Sequence, residues 1–228
     1  MPSPPNNQIY PKPRRHFGGM IMLLVWFAAL GFVAIQRQDI VDWWKLHSYD
    51  APVAVTALAT QNTMTDYATK VFYVNQPAIT PKSNFGEFCP NNGGEQTIVL
   101  GCYHAKQNGI YILQVSDSRL NGVEQVTAAH EMLHAAYDRL SSSERQRVDG
   151  MLEDYYRNGL TDQRIKTTID SYKQSEPNDV VNEMHSIFGT EVASLPTQLQ
   201  EYYKQYFNNR AAVVGYAASY QGEFTSRQ

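Results

Sequence analysis

Two histidines and a glutamate occur at a spacing that suits metal chemistry. Residues 130–134 read HEMLH, a match to H-E-x-x-H. On a helix, His130 and His134 lie on one face, so both imidazoles can reach a single ion. Glu131 is rotated by about 100° from His130, where its carboxylate can reach a water on that ion without becoming a ligand. The motif predicts a site for one Zn²⁺ ion, with His130 and His134 as ligands and Glu131 as the general base.

A catalytic zinc site also needs a third protein ligand and one open coordination position. The candidate ligand is Glu183, which lies in NEMHSIFGT (residues 182–190), 49 residues after His134. This separation allows the intervening helices to fold back onto the motif. A glutamate on a helix is usually solvated, so the prediction for Glu183 depends on the residues around it.

The stretches HEMLHAAYD and NEMHSIFGT resemble the gluzincin metallopeptidases, of which thermolysin is the familiar member. In that family the two histidines of H-E-x-x-H and a glutamate in an N-E-x-x-S helix bind zinc. The resemblance therefore implies that His130, His134 and Glu183 are the ligands and that Glu131 is the base. It also implies a zincin-like domain, in which Asp138 and Ser186 match family positions close to the ligands.

One position departs from the family pattern. Gluzincins usually have an aspartate four residues after the ligand glutamate, where it orients a ligand histidine, but this sequence has Ile187 there. Partners of this kind fix the tautomer and the direction of a ligand imidazole. We expect Asp138, Glu191 or a backbone carbonyl to take the role.

The segments around the motif predict an α+β domain. Residues 123–140 contain good helix formers and no breaker, and they follow an Asn121-Gly122 turn. Residues 97–104 and 109–115 are β-rich, and Asn108-Gly109 between them is typical of a hairpin turn. In zincins, a strand that precedes the motif helix can bind an extended substrate along its edge. The strand at 109–115 has this place in the chain order, and a substrate-binding edge and an interior position are equal alternatives for it. The other predictions in this half are a weak helix at 52–69, a strand at 71–74 and a loop at 78–95.

The C-terminal half is predicted to be mainly helical. Ser141 and Glu144 have the spacing of a capping box for a helix at about 142–157. Asp162 can cap a second helix, and Gly189 can end a third that carries Glu183. Apolar and aromatic residues then recur at helical spacing, which is typical of a core or a partner surface: Leu199, Tyr202, Tyr203 and Tyr206.

The N-terminus predicts a single membrane anchor. Residues 17–35 carry no charge and would span about 28 Å as a helix, close to the thickness of the bilayer core. A cleaved signal peptide is the rival, but the run is long for one and no A-x-A-type site follows it. The basic residues Lys12, Arg14 and Arg15 precede the run, which places the N-terminus in the cytosol and the rest outside the cell membrane. The predicted organisation is a disordered cytosolic tail (1–16), an anchor (17–36), a juxtamembrane connector (37–50) and a metallopeptidase-like domain (51–228).

Charge excludes one class of partner. The chain has 228 residues and a net charge of −3, and the first 36 residues carry +3, so the remainder is distinctly acidic. Nucleic acid is therefore not the expected partner, because binding phosphates requires a basic face. The expected partners are a polypeptide substrate and the membrane, and nothing in the sequence fixes an oligomeric state.

Three further residues with metal-binding or redox chemistry have competing interpretations. Cys102 lies upstream of the motif, and an upstream cysteine with H-E-x-x-H resembles the peptide deformylases. In an exported domain, however, we expect Cys102 and Cys89 to form a disulfide. His185 lies two residues after Glu183, on nearly the opposite helix face, so we expect it to be structural or on the surface.

The sequence as a whole predicts a membrane-anchored zinc endopeptidase that hydrolyses peptide bonds outside the cytosol. The alternative is a non-catalytic, metal-stabilised interaction module on the same anchor. The two share ligands. An open position beside Glu131 would favour the enzyme. A fourth protein ligand, or a Glu131 held in a buried salt bridge, would favour the module.

Overall fold

The structure is a computed structural model that describes residues 17–35, 37–90, 100–105 and 109–225. The predicted tail at 1–16, the stretch 91–99 and the Asn108 end of the predicted hairpin turn lie outside these residues. The chain divides into two compact units, Met1–Trp44 and Lys45–Gln228.

The first unit is helical where it is described. Helix α1 covers Phe17–Ile35, and α2 (Arg37–Ser48) begins in this unit. Apolar side chains of α1 such as Leu23, Trp26 and Phe27 are exposed. Within the described residues, no one helix combines the length and apolar character needed to cross a bilayer, whereas Met22–Val33 and Arg37–Ser48, bent by 60°, do so as a pair.

The second unit is mostly helical with one small sheet, as the α+β prediction requires. Its first half contains α3 (Val53–Gln61), α4 (Asp66–Val74), β1 (Ala78–Thr80), α5 (Lys82–Phe88), β2 (Gly101–His104) and β3 (Gly109–Leu113). Its second half contains α6 (Val123–Tyr137), α7 (Ser142–Asp154), α8 (Gln163–Ser175), α9 (Val180–Thr190), α10 (Thr197–Tyr203) and α11 (Arg210–Thr225), with a π-helical turn at Tyr155–Gly159.

The sheet has the order β1-β3-β2. Strands β2 and β3 are antiparallel, with Gly101 opposite Ile112 and His104 opposite Gly109, so the predicted hairpin pairing is confirmed. Strand β1 pairs in parallel with the other side of β3. Strand β3 is therefore interior, and in the described part of the sheet the edge strand on the side of the motif helix is β2.

Helix α6 forms the centre of the unit. It begins after Gly122, whose φ of +100° suits glycine, and an added Cβ there would lie 2.8 Å from the Tyr216 carbonyl oxygen. Twelve of its 15 residues are buried, including Met132 and Leu133. A helix that is buried on nearly all sides must be covered by other elements, here α3, α4, α9, α11 and the sheet.

The predicted strand at 71–74 is wrong, because these residues end helix α4. Thr65 caps this helix by accepting the Ala68 N–H. Ala68, Val71 and Phe72 are all fully buried, which is the i, i+3, i+4 spacing of a helical face. The predicted loop at 78–95 is wrong in part, since β1 and α5 lie within it.

Two predicted helix starts are confirmed. Ser141 and Glu144 form a capping box at the start of α7, and Asp162 accepts the N–H groups of Arg164 and Ile165 at the start of α8. The aromatic stripe predicted downstream is core, since Leu199, Tyr202, Tyr203 and Tyr206 are all buried.

Candidate metal centre

Helix α6 places both motif histidines on one face. The His130 and His134 rings meet edge to face, with centroids 4.7 Å apart. His134 is buried and His130 is partly exposed, so the face opens to solvent on the His130 side. One helical turn separates them, as the i, i+4 spacing requires.

Helix α9 brings Glu183 to this face of α6. Glu183 Oε1 lies 3.3 Å from His134 Nε2, and Glu183 Oε2 lies 3.5 Å from His130 Nε2. Close packing of the two helices depends on Gly189, because an added Cβ would lie 2.4 Å from Leu133 Cδ1 and 2.9 Å from Tyr203 Cε1. Gly189 therefore lets α9 approach α6, and it lies inside α9 instead of ending it as predicted.

These three side chains fit a single metal ion. Their donor atoms all lie within 4.8 Å of one another. Ligands at zinc–nitrogen and zinc–oxygen bond lengths are about 3.3–3.4 Å apart at the edges of a tetrahedron, which the two measured distances approach. Glu183 Oε2 is buried and makes no regular hydrogen bond within the described part of the chain. A cation bound between the three residues would supply that missing partner.

The charge state of Glu183 also suits a metal ligand. Burial by itself raises the pKa of this carboxyl, but the neighbouring His134 and His130 outweigh burial and the pKa is lowered. The carboxylate is therefore held in its charged form, which is the form that binds a metal.

The general-base candidate Glu131 lies under the edge strand. It is buried, and strand β2 crosses it at Gly101, where an added Cβ would lie 2.9 Å from Glu131 Oε1 and 2.4 Å from Thr127 Cγ2. Only glycine allows the strand to lie this close to the motif helix. Sequence reasoning missed Gly101, since a lone glycine in a strand pattern carries no signal for such an approach.

The three donors and Glu131 line an open cleft of about 830 Å³. One wall is β2 with the Cys89–Cys102 disulfide, the floor is α6, and the opposite wall comes from α8, α9 and Tyr220 of α11. A cleft of this size is within the range of ligand sites of about 300–1,000 Å³. The predicted disulfide is present, with Cα atoms 5.8 Å apart, so Cys102 stabilises this wall and is not a metal ligand in this form.

The residues predicted to orient a ligand histidine have other contacts. The Tyr103 hydroxyl donates to Asp138, and burial together with Asp138 raises the pKa of that phenol to about 12. Glu191 accepts hydrogen bonds from Arg164 at 2.7 Å and from Gln221 at 2.8 Å. Ser186 is fully buried, and its Oγ has no partner among the described residues. Asp138 thus links β2 to the end of α6, and the histidine-orienting role stays unassigned.

His185 is structural. It points away from the donors into a buried aromatic cluster, where Nε2 lies 2.8 Å from the Tyr202 hydroxyl and the Tyr203 hydroxyl donates to the His185 carbonyl. Burial lowers the pKa of His185 to about 3, so the ring is neutral. This cluster buttresses the side of α9 opposite to Glu183.

A second polar group at the cleft was not predicted. Glu176, Asp179 and Asn182 occupy the turn before α9 and its first turn, and all three line the cleft. Burial raises the pKa of Asp179, with smaller contributions in the same direction from Glu183 and Asp138. The closeness of these residues to Glu183 in the sequence was the available signal.

Comparisons with protein-family models, with curated proteins and with solved structures found no match to this chain.

Proposed function

We propose that this chain is a membrane-anchored zinc-dependent endopeptidase whose catalytic domain lies outside the cytosol. The observation that carries the proposal is the meeting of His130, His134 and Glu183 at zinc-ligand spacing, next to Glu131 on the floor of an open cleft. Such a donor set is typical of catalytic zinc sites with three protein ligands.

The chemistry follows from the positions of the side chains. A zinc ion held there would lower the pKa of its bound water and polarise a peptide carbonyl. In this proposal Glu131 would accept a proton from the attacking water and pass it to the leaving amine. Among the described strands, β2 has an unpaired edge along the cleft that would suit an extended polypeptide, in place of β3, whose two edges are already paired.

The alternative of a closed, metal-stabilised module requires a fourth protein ligand. Among the described residues, the donor group contains His130, His134 and Glu183 and borders the cleft. A group of three donors at the border of a cleft would leave a bound ion one position for water, and this supports the enzyme over the module.

The proposed location rests on the N-terminus. The uncharged run that forms α1, its exposed apolar side chains and the basic residues before it support an anchor with a cytosolic N-terminus. Protease added to intact cells should digest the C-terminal domain and spare an N-terminal tag. Full protection of the C-terminus would overturn the proposed orientation.

The activity is tested with the full chain in detergent and an unfolded polypeptide substrate. We expect cleavage that stops with a zinc chelator, returns with added Zn²⁺ and is absent in Glu131→Gln. Cleavage by Glu131→Gln at the wild-type rate would show that this residue is not the base. Absence of cleavage by metal-loaded wild type across a panel of unfolded substrates would overturn the endopeptidase proposal.

A further inference from the structure

Helix α2 exposes large apolar side chains on one of its faces. Ile40, Trp43 and Trp44 are 48%, 60% and 67% exposed. Their spacing of three and four residues places all three on the same side of the helix. We call this surface the tryptophan face, and it lies wholly within the first unit of the chain, Met1–Trp44.

The other side of α2 is polar and partly buried. Asp42 is 1% exposed and accepts a hydrogen bond from Gln38 Nε2 at 3.0 Å, and Lys45 is half-buried. A surface helix of a water-soluble domain normally has the reverse arrangement, with apolar residues inward and charged residues outward. The inverted pattern indicates that the tryptophan face meets something other than bulk water.

The position of α2 in the chain indicates what that is. One residue separates α2 from α1, the uncharged helix of the proposed membrane anchor. Trp43 and Trp44 therefore follow the end of α1 by about two and a half helical turns. Tryptophan is enriched at the headgroup level of membranes, where its ring is apolar and its indole N–H can still find a polar partner.

The charges of α2 exclude the alternative that it continues the span through the bilayer core. Arg37, Asp39, Asp42 and Lys45 all lie in this helix, and charged side chains are costly in hydrocarbon. The helix is also bent by 60° from Met22–Val33, which suits a segment that leaves the core and lies along the surface. Because the two acids balance the two bases, attraction to anionic lipid is not the expected driving force.

We propose that α2 is an interfacial helix whose tryptophan face inserts into the outer leaflet at the level of the lipid headgroups. The partner of this surface is thus the lipid bilayer itself, bound through apolar and indole contacts. The chain would then be attached by two elements, α1 across the membrane and α2 along it. The proposal rests on the anchor that belongs to the proposed function and is independent of peptide cleavage.

The test is quenching of tryptophan fluorescence by brominated lipids, with the full chain in phosphatidylcholine nanodiscs. The chain has three tryptophans, so Trp26→Phe leaves the pair on α2, and Trp43→Phe with Trp44→Phe leaves Trp26 at the middle of α1. Bromines near the headgroups should quench the α2 pair at least about twofold more than bromines near the bilayer centre. Trp26 should show the opposite preference.

The matched control moves the probe to another side of the same helix. Gln38 is exposed, and it lies about 120° or more around the helix from Trp43 and Trp44. In a chain whose own tryptophans are all replaced by phenylalanine, Gln38→Trp should be quenched by shallow bromines at most about half as much as Trp44 alone. Equal quenching of the two probes would overturn the assignment of the lipid-facing side.

Absence of lipid quenching of Trp43 and Trp44 would overturn the interfacial helix, and so would stronger quenching by the deep bromines. The failure of other proposals is separately visible in the same samples. An unquenched Trp26 would reject the anchor, whereas zinc content and peptide cleavage report on the proposed enzyme. A chain that cleaves nothing but shows shallow quenching of the α2 pair would sustain this surface while rejecting the endopeptidase.

Discussion

Glu183 Oε1 and His134 Nε2 lie 3.3 Å apart, although 49 residues separate them along the chain. The contact exists because α9 returns to pack on α6, and Gly189 allows the two helices to approach closely. Two motifs that are far apart in the sequence therefore contribute their side chains to one group of metal-donor atoms.

Replacing Gly101 with alanine should lower activity through Glu131. The new Cβ would overlap Thr127 Cγ2 and press on the Glu131 side chain. A misplacement of about 1 Å in the reacting geometry can cost about a hundredfold in rate, so we expect a smaller shift of Glu131 to lower kcat by about tenfold. The double variant Gly101→Ala, Thr127→Ser lacks Cγ2, so its stability should return to that of the wild type while its kcat stays low. Full activity in Gly101→Ala would show that strand β2 does not position Glu131, the proposed base.

Replacing Gly189 with alanine should destabilise the protein and weaken the metal site together. The overlap with Leu133 and Tyr203 should cost about 1–3 kcal/mol, as overpacking of a core does. The control is Gly150→Ala in α7, where an added Cβ meets no atom within 4 Å. That change should stabilise by about 0.5–1 kcal/mol through helix propensity. Denaturant unfolding of both variants measures the difference, and equal effects would contradict the packing role of Gly189.

Reducing the Cys89–Cys102 disulfide should lower the unfolding midpoint. The bond joins residues 13 apart, and closing a loop of this length contributes about 3 kcal/mol in the chain-entropy model. Thermal unfolding of the wild type with and without reductant measures the loss. The Cys89→Ser, Cys102→Ser double variant should unfold at the same midpoint as the reduced wild type, and reductant should not change that midpoint. An unfolding midpoint of the wild type that does not change with reductant would contradict a stabilising role for the disulfide.

Replacing Tyr202 with phenylalanine should lower the free energy of unfolding but leave zinc binding unchanged. The hydroxyl lies 2.8 Å from His185 Nε2 and 3.0 Å from the Tyr206 hydroxyl, in a buried site. Losing it leaves buried polar atoms unpaired, at about 1–3 kcal/mol. Tyr156→Phe is the control, because its hydroxyl bonds the exposed Asp170 and Lys173 and should cost about 0.5 kcal/mol or less. Loss of zinc in Tyr202→Phe alone would contradict a purely structural role for His185.

Features with a local signature were predictable from sequence. The motif helix, the capping box of Ser141 and Glu144, and the Asp162 cap each depend on residues within one or two turns. The hairpin pairing of β2 with β3 belongs to the same class. The strand prediction at 71–74 failed because β-branched and aromatic residues also suit a buried helical face, and the packed environment decided between the two.

Features that depend on two distant segments were not predictable. Gly101 matters only because β2 crosses Glu131 and Thr127, and no pattern near Gly101 indicates that crossing. The residue that orients a ligand histidine could not be assigned from the sequence, and the structure shows Asp138 in contact with Tyr103 on another element.

The most direct test of the metal centre is the zinc content of purified full-length protein after dialysis, measured by elemental analysis. We predict one zinc per wild-type chain, one in Glu131→Gln, and loss of tight binding in His134→Ala and in Glu183→Ala, because each of the last two removes a ligand. Circular dichroism of the same samples establishes that the variants are folded. Zinc-free wild type after loading, or undiminished zinc in folded Glu183→Ala, would contradict the site.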